Sequence, residues 1–435
     1  MLWKNCLMRS RRRGVLIILD GLGDRPIPAL GGATPLEAAR TPNLDRLVAL
    51  GQCGLVDPGI PDMPVSTHSG TGTLLGIDPD AIRGLARGPV EAAGIGLAMR
   101  DGDVAMRCNF ATLERHAGTL RVLDRRAGRI ATDTDELASL LQNVALGDDI
   151  SASLYPATQH RAVLCLSGPG LSGAISDTDP GERARLPGPV LASQPLRADD
   201  SSAIKTAEAL NRFIVQAFAR LESHPINDAR RARNEAPANG IICREAGTLT
   251  TVPSLLQRVG LSTAVVAGEC TLLGMASLLG HTVITEPRFT SLTDTDLGAK
   301  VDAVRSALTN HDLAVLHIKG TDICAHDRDP EGKRRFLEKI DEAIVPLLAE
   351  DLVIALTGDH CTDSNTGVHI NDPVPSLLFT GDGASDTCRA FGESQSALGG
   401  LGQISGATFL MSLLDAMGCS RTPDYDQPVS QRPSE

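Results

Sequence analysis

Three short apolar runs in this chain stop abruptly on polar residues. VLIIL (Val15–Leu19) runs into DGLGD, LAVLHIKG (Leu313–Gly320) into TDICAH, and LVIAL (Leu352–Leu356) into TGDH. Each is apolar throughout rather than alternating. That pattern predicts strands covered on both faces, as in a parallel sheet. Helical patterns lie between them, among them Pro42–Leu50 and Lys333–Glu350. Strand–loop–helix alternation predicts an α/β core with a mostly parallel sheet. Ligands bind such sheets at the carboxyl ends of the strands, and the polar residues that stop the runs fall at those ends.

The middle of the chain has a different texture. GDVAMRCNFATL, TLRVLDRRAGRI and RAVLCLSG read as an antiparallel α+β unit. Ser176–Ala203 reads as loop, Ala203–Leu221 as a helix, and SHPINDARRARNEAPANG as a polar connector. At 435 residues two domains are expected. The reading is a discontinuous core over 14–97 and 233–422, a second domain inserted over 98–232, and loose tails at 1–13 and 423–435.

Composition removes several classes of function. Aromatic residues are 3% of the chain and the net charge is −12, with no dense basic tract beyond Arg11–Arg13. A nucleic-acid partner is therefore not expected. The ten cysteines are scattered with no CxxC pair, as in a cytoplasmic protein with reduced thiols. The apolar run after the arginines is five residues long, too short for a signal core or a membrane span.

The chemistry-bearing residues gather at the predicted strand ends. Asp322 and His326 are spaced i, i+4, on one face of a helical turn. Asp359 and His360 follow the third run, His369 lies nine residues on, and Asp20 follows the first. Carboxylate–imidazole sets of this kind suit Mn²⁺, Zn²⁺ and related divalent ions. Two such ions activate a nucleophile and clamp the oxygens of a transferring phosphoryl group. A hydroxyl-rich stretch, MPVSTHSGTGTLLGIDP, offers Ser66, Thr67 and Ser69 as nucleophiles, and local pattern alone does not choose among them.

At these residues the chain resembles the archaeal-type, cofactor-independent phosphoglycerate mutases of the alkaline phosphatase superfamily. The matching stretches include ILDGLGDRP, GGATPLEAARTPNLDRL, LLGIDP, ARGPVEAAGIGL, SDTDP, HPIN, PANGII, HIKGTDICAHD and HINDPVP, spread over about 15–420. The resemblance implies an alkaline-phosphatase-like core with an inserted domain that closes on substrate. It implies two divalent ions (Mn²⁺ or Zn²⁺, with Mg²⁺, Co²⁺ or Fe²⁺ as alternatives) and no 2,3-bisphosphoglycerate. Asp322, His326 and His369 fall on one ion; Asp20, Asp359, His360 and the nucleophile hydroxyl fall on the other. Counting back from LLGIDP puts Thr67 in the family's serine slot, with Ser66 and Ser69 as the alternatives.

Candidate substrate residues are Arg107, Arg126, Arg129, Arg161, Asp177, Asp179 and Arg244, with Arg125 beside them. Guanidinium forks bind carboxylate and phosphate bidentately. One departure stands out. The slots of the family's ALIKGIAR lysine and arginine hold Leu273 and Ser277, which suggests a transferred group lacking a balancing cation. The first reading is interconversion of 2- and 3-phosphoglycerate through a phosphorylated Thr67. A second is transfer of a phosphonate group from an activated, nucleotidyl donor to a glycerate-like acceptor. A third is a non-catalytic protein that binds metal and ligand. The expected partner is a small phosphorylated or phosphonylated carboxylic acid, with no nucleic acid and no membrane.

Overall fold

The computed structural model describes residues 11–181, 184–250 and 252–419. The apolar runs become adjacent strands. Gly14–Leu19 lies between Leu313–Ile318 and Val353–Thr357, parallel to both, with every residue of the three strands buried. Across the eight-stranded sheet the order is Thr282–Ile284, Thr263–Val266, Leu313–Ile318, Gly14–Leu19, Val353–Thr357, Val374–Phe379, Gln52–Asp57, Gly402–Ser405. Of these, Val374–Phe379 runs against its two neighbours and the rest run one way. Leu16, Ile17, Leu316 and Leu356 have no solvent exposure, which accounts for the absence of alternation in the sequence.

The chain divides into two compact units, one built from the segments up to Arg83 and from Val252, the other from Gly84–Thr251. The second unit is wider than the 98–232 expected from sequence. Gly240–Thr248 is a strand paired antiparallel with Val104–His116, and the helix Arg87–Gly94 packs on both. Its seven-stranded antiparallel sheet is backed by the helix Ser201–Leu221. Asp200 caps that helix by accepting from the Ala203 N–H, and Ala203, Ala207, Leu210, Phe213, Ile214, Ala217 and Leu221 form its buried stripe.

The amino-terminal expectation also changes. Of the leader expected over 1–13, Arg11–Arg13 are anchored. The Arg11 guanidinium donates to the Val259 and Gly260 carbonyls, Arg12 pairs with Asp351 at 2.7 Å, and Arg13 donates to the Leu308 carbonyl. The tail expected over 423–435 lies outside the described residues. Among the described residues no helix is long and apolar enough to cross a membrane.

Candidate two-metal site

The carboxyl ends of the central strands place Asp20, Lys319 and Asp359 side by side. Asp20 follows Leu19 directly; Lys319 follows Ile318 and starts the short helix Gly320–His326, which carries Asp322 and His326. The loop after Val353–Thr357 brings Asp359 and His360, and the hairpin Cys361–Asp363/Val368–Ile370 brings His369.

These side chains form three overlapping sets whose ligand atoms lie within 4.8 Å of one another: Asp322, His326 and His369; Asp20, Asp322 and His360; and Asp20, His317 and Asp359. In the first, the Nε2 atoms of His326 and His369 are 3.0 Å apart and stand 3.3 and 3.5 Å from Asp322 Oδ1. Their Nδ1 atoms face the Gly367 carbonyl at 2.8 Å and the Val65 carbonyl at 3.3 Å, which aims both Nε2 atoms inward. Joining the second set to the third, His360 Nε2 lies 3.3 Å from Asp20 Oδ1 and 3.6 Å from Asp359 Oδ2. Asp20 Oδ1 and Asp359 Oδ2 are buried and accept no hydrogen bond. A buried carboxylate oxygen without a donor is costly unless a cation meets it. The residues therefore fit two divalent ions, on the donor set and on these orphaned oxygens.

Of the three candidate nucleophile hydroxyls, that of Thr67 faces the cluster. Thr67 is the first residue of the helix Thr67–Leu74, and its Oγ1 lies 3.4 Å from Asp20 Oδ2, 3.5 Å from His360 Nε2 and 3.4 Å from Lys319 Nζ. Ser66 and Ser69 are occupied in a capping box. Ser66 Oγ accepts from the Ser69 N–H at 3.3 Å, and Ser69 Oγ accepts from the Ser66 N–H at 3.0 Å. Gly70 lets this helix approach so closely: a Cβ there would lie 1.9 Å from the Asp359 carbonyl oxygen.

Sequence reasoning missed His317 and Lys319. The Lys319 ammonium donates to Asp20 Oδ2 at 2.8 Å and to Asp322 Oδ2 at 2.9 Å. His317 Nε2 stands 3.2 Å from Asp20 Oδ2. HIKG at the end of a strand was the available signal, since residues two apart share one side of a strand. Lys319 also corrects the inference drawn from Leu273. Leu273 is buried in the helix Cys270–Leu278, and Ser277 of that helix is exposed. The cation of the site comes from a different strand end.

Electrostatics follow from this packing. Burial works to protonate Asp20, but the Lys319 ammonium and the neighbouring imidazoles of His317 and His360 hold its carboxyl well below the usual range. Asp322 is held down in the same way by Lys319, His326 and His369 against its burial. Burial opposes charge on His360, yet Asp359 and Asp20 push the imidazole up to about 9. Asp359 is raised by burial and by the charge of Asp20.

In the second unit the expected arginines are largely engaged. Arg125 is bidentate to Asp179 at 2.7 and 2.6 Å, and Arg244 reaches the same carboxylate at 3.3 Å. Arg107 pairs with Glu91 at 2.6 Å, a partner the sequence did not suggest. Asp177 accepts from the Glu245 N–H at 2.9 Å. The charges of Arg161, Arg126, Arg129 and Arg244 all act on His160. Burial and then their positive charges lower that imidazole to about 4.

The fold first defines a class: an α/β protein with a mostly parallel sheet, carrying candidate divalent-metal ligands at its strand ends. Comparison with known proteins narrows it. A family profile described as 2,3-bisphosphoglycerate-independent phosphoglycerate mutase matches residues 49–227. The 2,3-bisphosphoglycerate-independent phosphoglycerate mutase of Methanopyrus kandleri is 40% identical over 411 residues, 93% of this chain and 96% of that relative. That of Archaeoglobus fulgidus (mutase 1) is 40% identical over 94% of this chain and 98% of its own. The solved cofactor-independent phosphoglycerate mutase of Thermoplasma acidophilum superposes with a TM-score of 0.66 at 32% identity, covering 93% of this chain and all of its own. A Pyrococcus horikoshii protein structure superposes with a TM-score of 0.79 at 32% identity, covering 95% and 99%. The chain belongs to the 2,3-bisphosphoglycerate-independent phosphoglycerate mutase family.

Proposed function

We propose that this protein interconverts 2- and 3-phosphoglycerate without 2,3-bisphosphoglycerate, through a phosphoryl group carried on Thr67. The observation that carries the reading is Thr67 Oγ1, set within 3.5 Å of Asp20, His360 and Lys319 at the edge of the metal-ligand cluster. Asp322, His326 and His369 would hold one divalent ion, and Asp20, Asp359 and His360 the other, Mn²⁺ or Zn²⁺ by donor chemistry. Such ions lower the pKa of a hydroxyl and neutralise charge on a phosphoryl group.

The chain's own residues account for the rest. Asp20 Oδ2 orients Thr67 by accepting from its hydroxyl, while the Lys319 ammonium stands beside the same oxygen to meet developing negative charge. Thr67 gives up its hydroxyl proton, its Oγ–phosphorus bond forms as the bond from phosphorus to the glycerate oxygen breaks, and that oxygen takes up a proton. The other glycerate hydroxyl then loses its proton and attacks the same phosphorus, restoring Thr67. Asp20, His360 and Asp359 are almost completely buried and Thr67 is 8% exposed, so little water reaches the intermediate. The guanidinium groups of Arg126, Arg129 and Arg161 have the chemistry to hold the carboxylate and phosphate of a phosphoglycerate.

The relatives carry the mutase name, which does not favour a phosphonate donor. The test is a coupled assay for 2-phosphoglycerate from 3-phosphoglycerate with Mn²⁺ and no 2,3-bisphosphoglycerate. Thr67→Ala should be folded and inactive, and radiolabelled substrate should leave phosphate on the peptide containing Thr67. Full turnover by Thr67→Ala, or label on Ser66 or Ser69, would sink the assignment.

A further inference from the structure

Cys108 and Cys243 stand directly opposite each other on the antiparallel strands Val104–His116 and Gly240–Thr248 of the second unit. Their Sγ atoms are 3.0 Å apart, and both side chains sit in that unit's apolar core, 2% and 0% exposed. Facing residues of an antiparallel pair have Cα atoms about 4.5 or 5.5 Å apart. A disulfide needs about 4.4–6.8 Å. The backbone already meets the requirement, and the sulfurs lie on the same side of the sheet.

We propose that Cys108 and Cys243 are a modification site, a thiol pair that a peroxide converts reversibly to a disulfide in the folded protein. Cys108, the less enclosed of the two, attacks the peroxide as its thiolate. A sulfur–oxygen bond forms, the oxygen–oxygen bond breaks, and one water leaves, giving a sulfenic acid. The Cys243 sulfur then attacks Cys108 Sγ. The sulfur–sulfur bond forms, the sulfur–oxygen bond breaks, and a second water carries off the remaining proton. Two thiols lose two electrons and one peroxide becomes two waters. A dithiol such as dithiothreitol reverses the change by thiol–disulfide exchange.

The position gives the modification consequences. The cysteines are 135 residues apart in sequence, so the cross-link closes a long loop and restrains unfolding of this unit. Arg107 and Arg244, which also face each other across the two strands, are the next residues along. Side chains alternate along a strand, so this pair lies on the opposite face from the sulfurs. The cross-link therefore sets the strand spacing beneath the guanidinium-bearing residues Arg107 and Arg244.

The experiment treats reduced, full-length protein with hydrogen peroxide, alkylates it in denaturant, and maps peptides without reductant. One linked species joining the Cys108 and Cys243 peptides is expected, two hydrogens lighter than the free pair. The Tm should rise by several degrees and return with dithiothreitol. Cys243→Ala and Cys108→Ala, made in parallel, should lose both the link and the rise. Recovery of both cysteines as alkylated thiols after oxidation overturns the proposal, as does linkage of either one to a different thiol. The wild-type peptide map alone decides if neither variant folds.

Discussion

Replacing Lys319 by methionine removes the ammonium that bridges two buried carboxylates while keeping most of the unbranched side chain. Its contacts with Asp20 and Asp322 are 2.8 and 2.9 Å. Each attraction exceeds about 4 kcal/mol at the effective dielectric suited to protein sites, before desolvation is subtracted. Measured losses on breaking one side of a buried pair are about 3–5 kcal/mol. The metal-free variant should therefore unfold at markedly lower urea concentration than wild type. Metal binding should move the other way. The ammonium neutralises two of the candidate ligands, so without it the site is more negative and Mn²⁺ should bind more tightly. A third effect separates catalysis from both. Lys319 Nζ is 3.4 Å from Thr67 Oγ1, where charge develops in transfer. Loss of one such donor costs about 10²–10³ in kcat. The assays are urea unfolding of chelated protein, Mn²⁺ titration, and coupled turnover at saturating Mn²⁺. A variant that binds Mn²⁺ more weakly, or turns over within threefold of wild type when loaded, would refute this account of Lys319.

Three further outcomes follow from the same structure. Metal uptake should release protons at pH 7, because His360 is held up to about 9 and must be neutral to bind a cation; calorimetry giving the same heat in buffers of different ionisation enthalpy would contradict this. Gly70→Ala, which in an ordinary helix interior gains about 1 kcal/mol, should instead cost about 1–3 kcal/mol as overpacking and lower kcat, since the new Cβ meets the Asp359 carbonyl; a more stable, fully active variant would show that the helix can shift freely. Glu393 is half-buried with its carboxylate turned onto Thr34 and the Asp24 N–H, and burial outweighs those hydrogen bonds to raise it from 4.5 to about 7. The folded state thus holds this proton more tightly than the unfolded chain. Its contribution is full below about pH 4.5 and is lost as pH rises through 7, an effect of about 3 kcal/mol in all. Glu393→Gln should lose correspondingly less stability between pH 5 and pH 8 in urea unfolding, and equal losses in the two proteins would refute the shift.

Sequence alone determined the sheet and most of the candidate ligands. Unbroken apolar runs mark strands buried on both faces, and the ends of parallel strands are where such folds gather chemistry. Asp20, Asp322, Asp359 and His360 were legible because each follows its run within a few residues, a local pattern. The choice among Ser66, Thr67 and Ser69 needed the position at which the helix starts. It depended on which hydroxyls the helix start uses for its own N–H groups, and the capping box takes Ser66 and Ser69. Lys319 was hidden for another reason. In HIKG it reads as the last residue of a strand, and only the packing of Leu313–Ile318 beside Gly14–Leu19 brings it to Asp20, 299 residues away in sequence. The extent of the second unit likewise waited on the pairing of Gly240–Thr248 with Val104–His116, more than a hundred residues earlier. Composition and periodicity report how a segment meets its surroundings. They do not report which distant segment those surroundings are, and the cation of the site and the edge of the second unit were set by that choice.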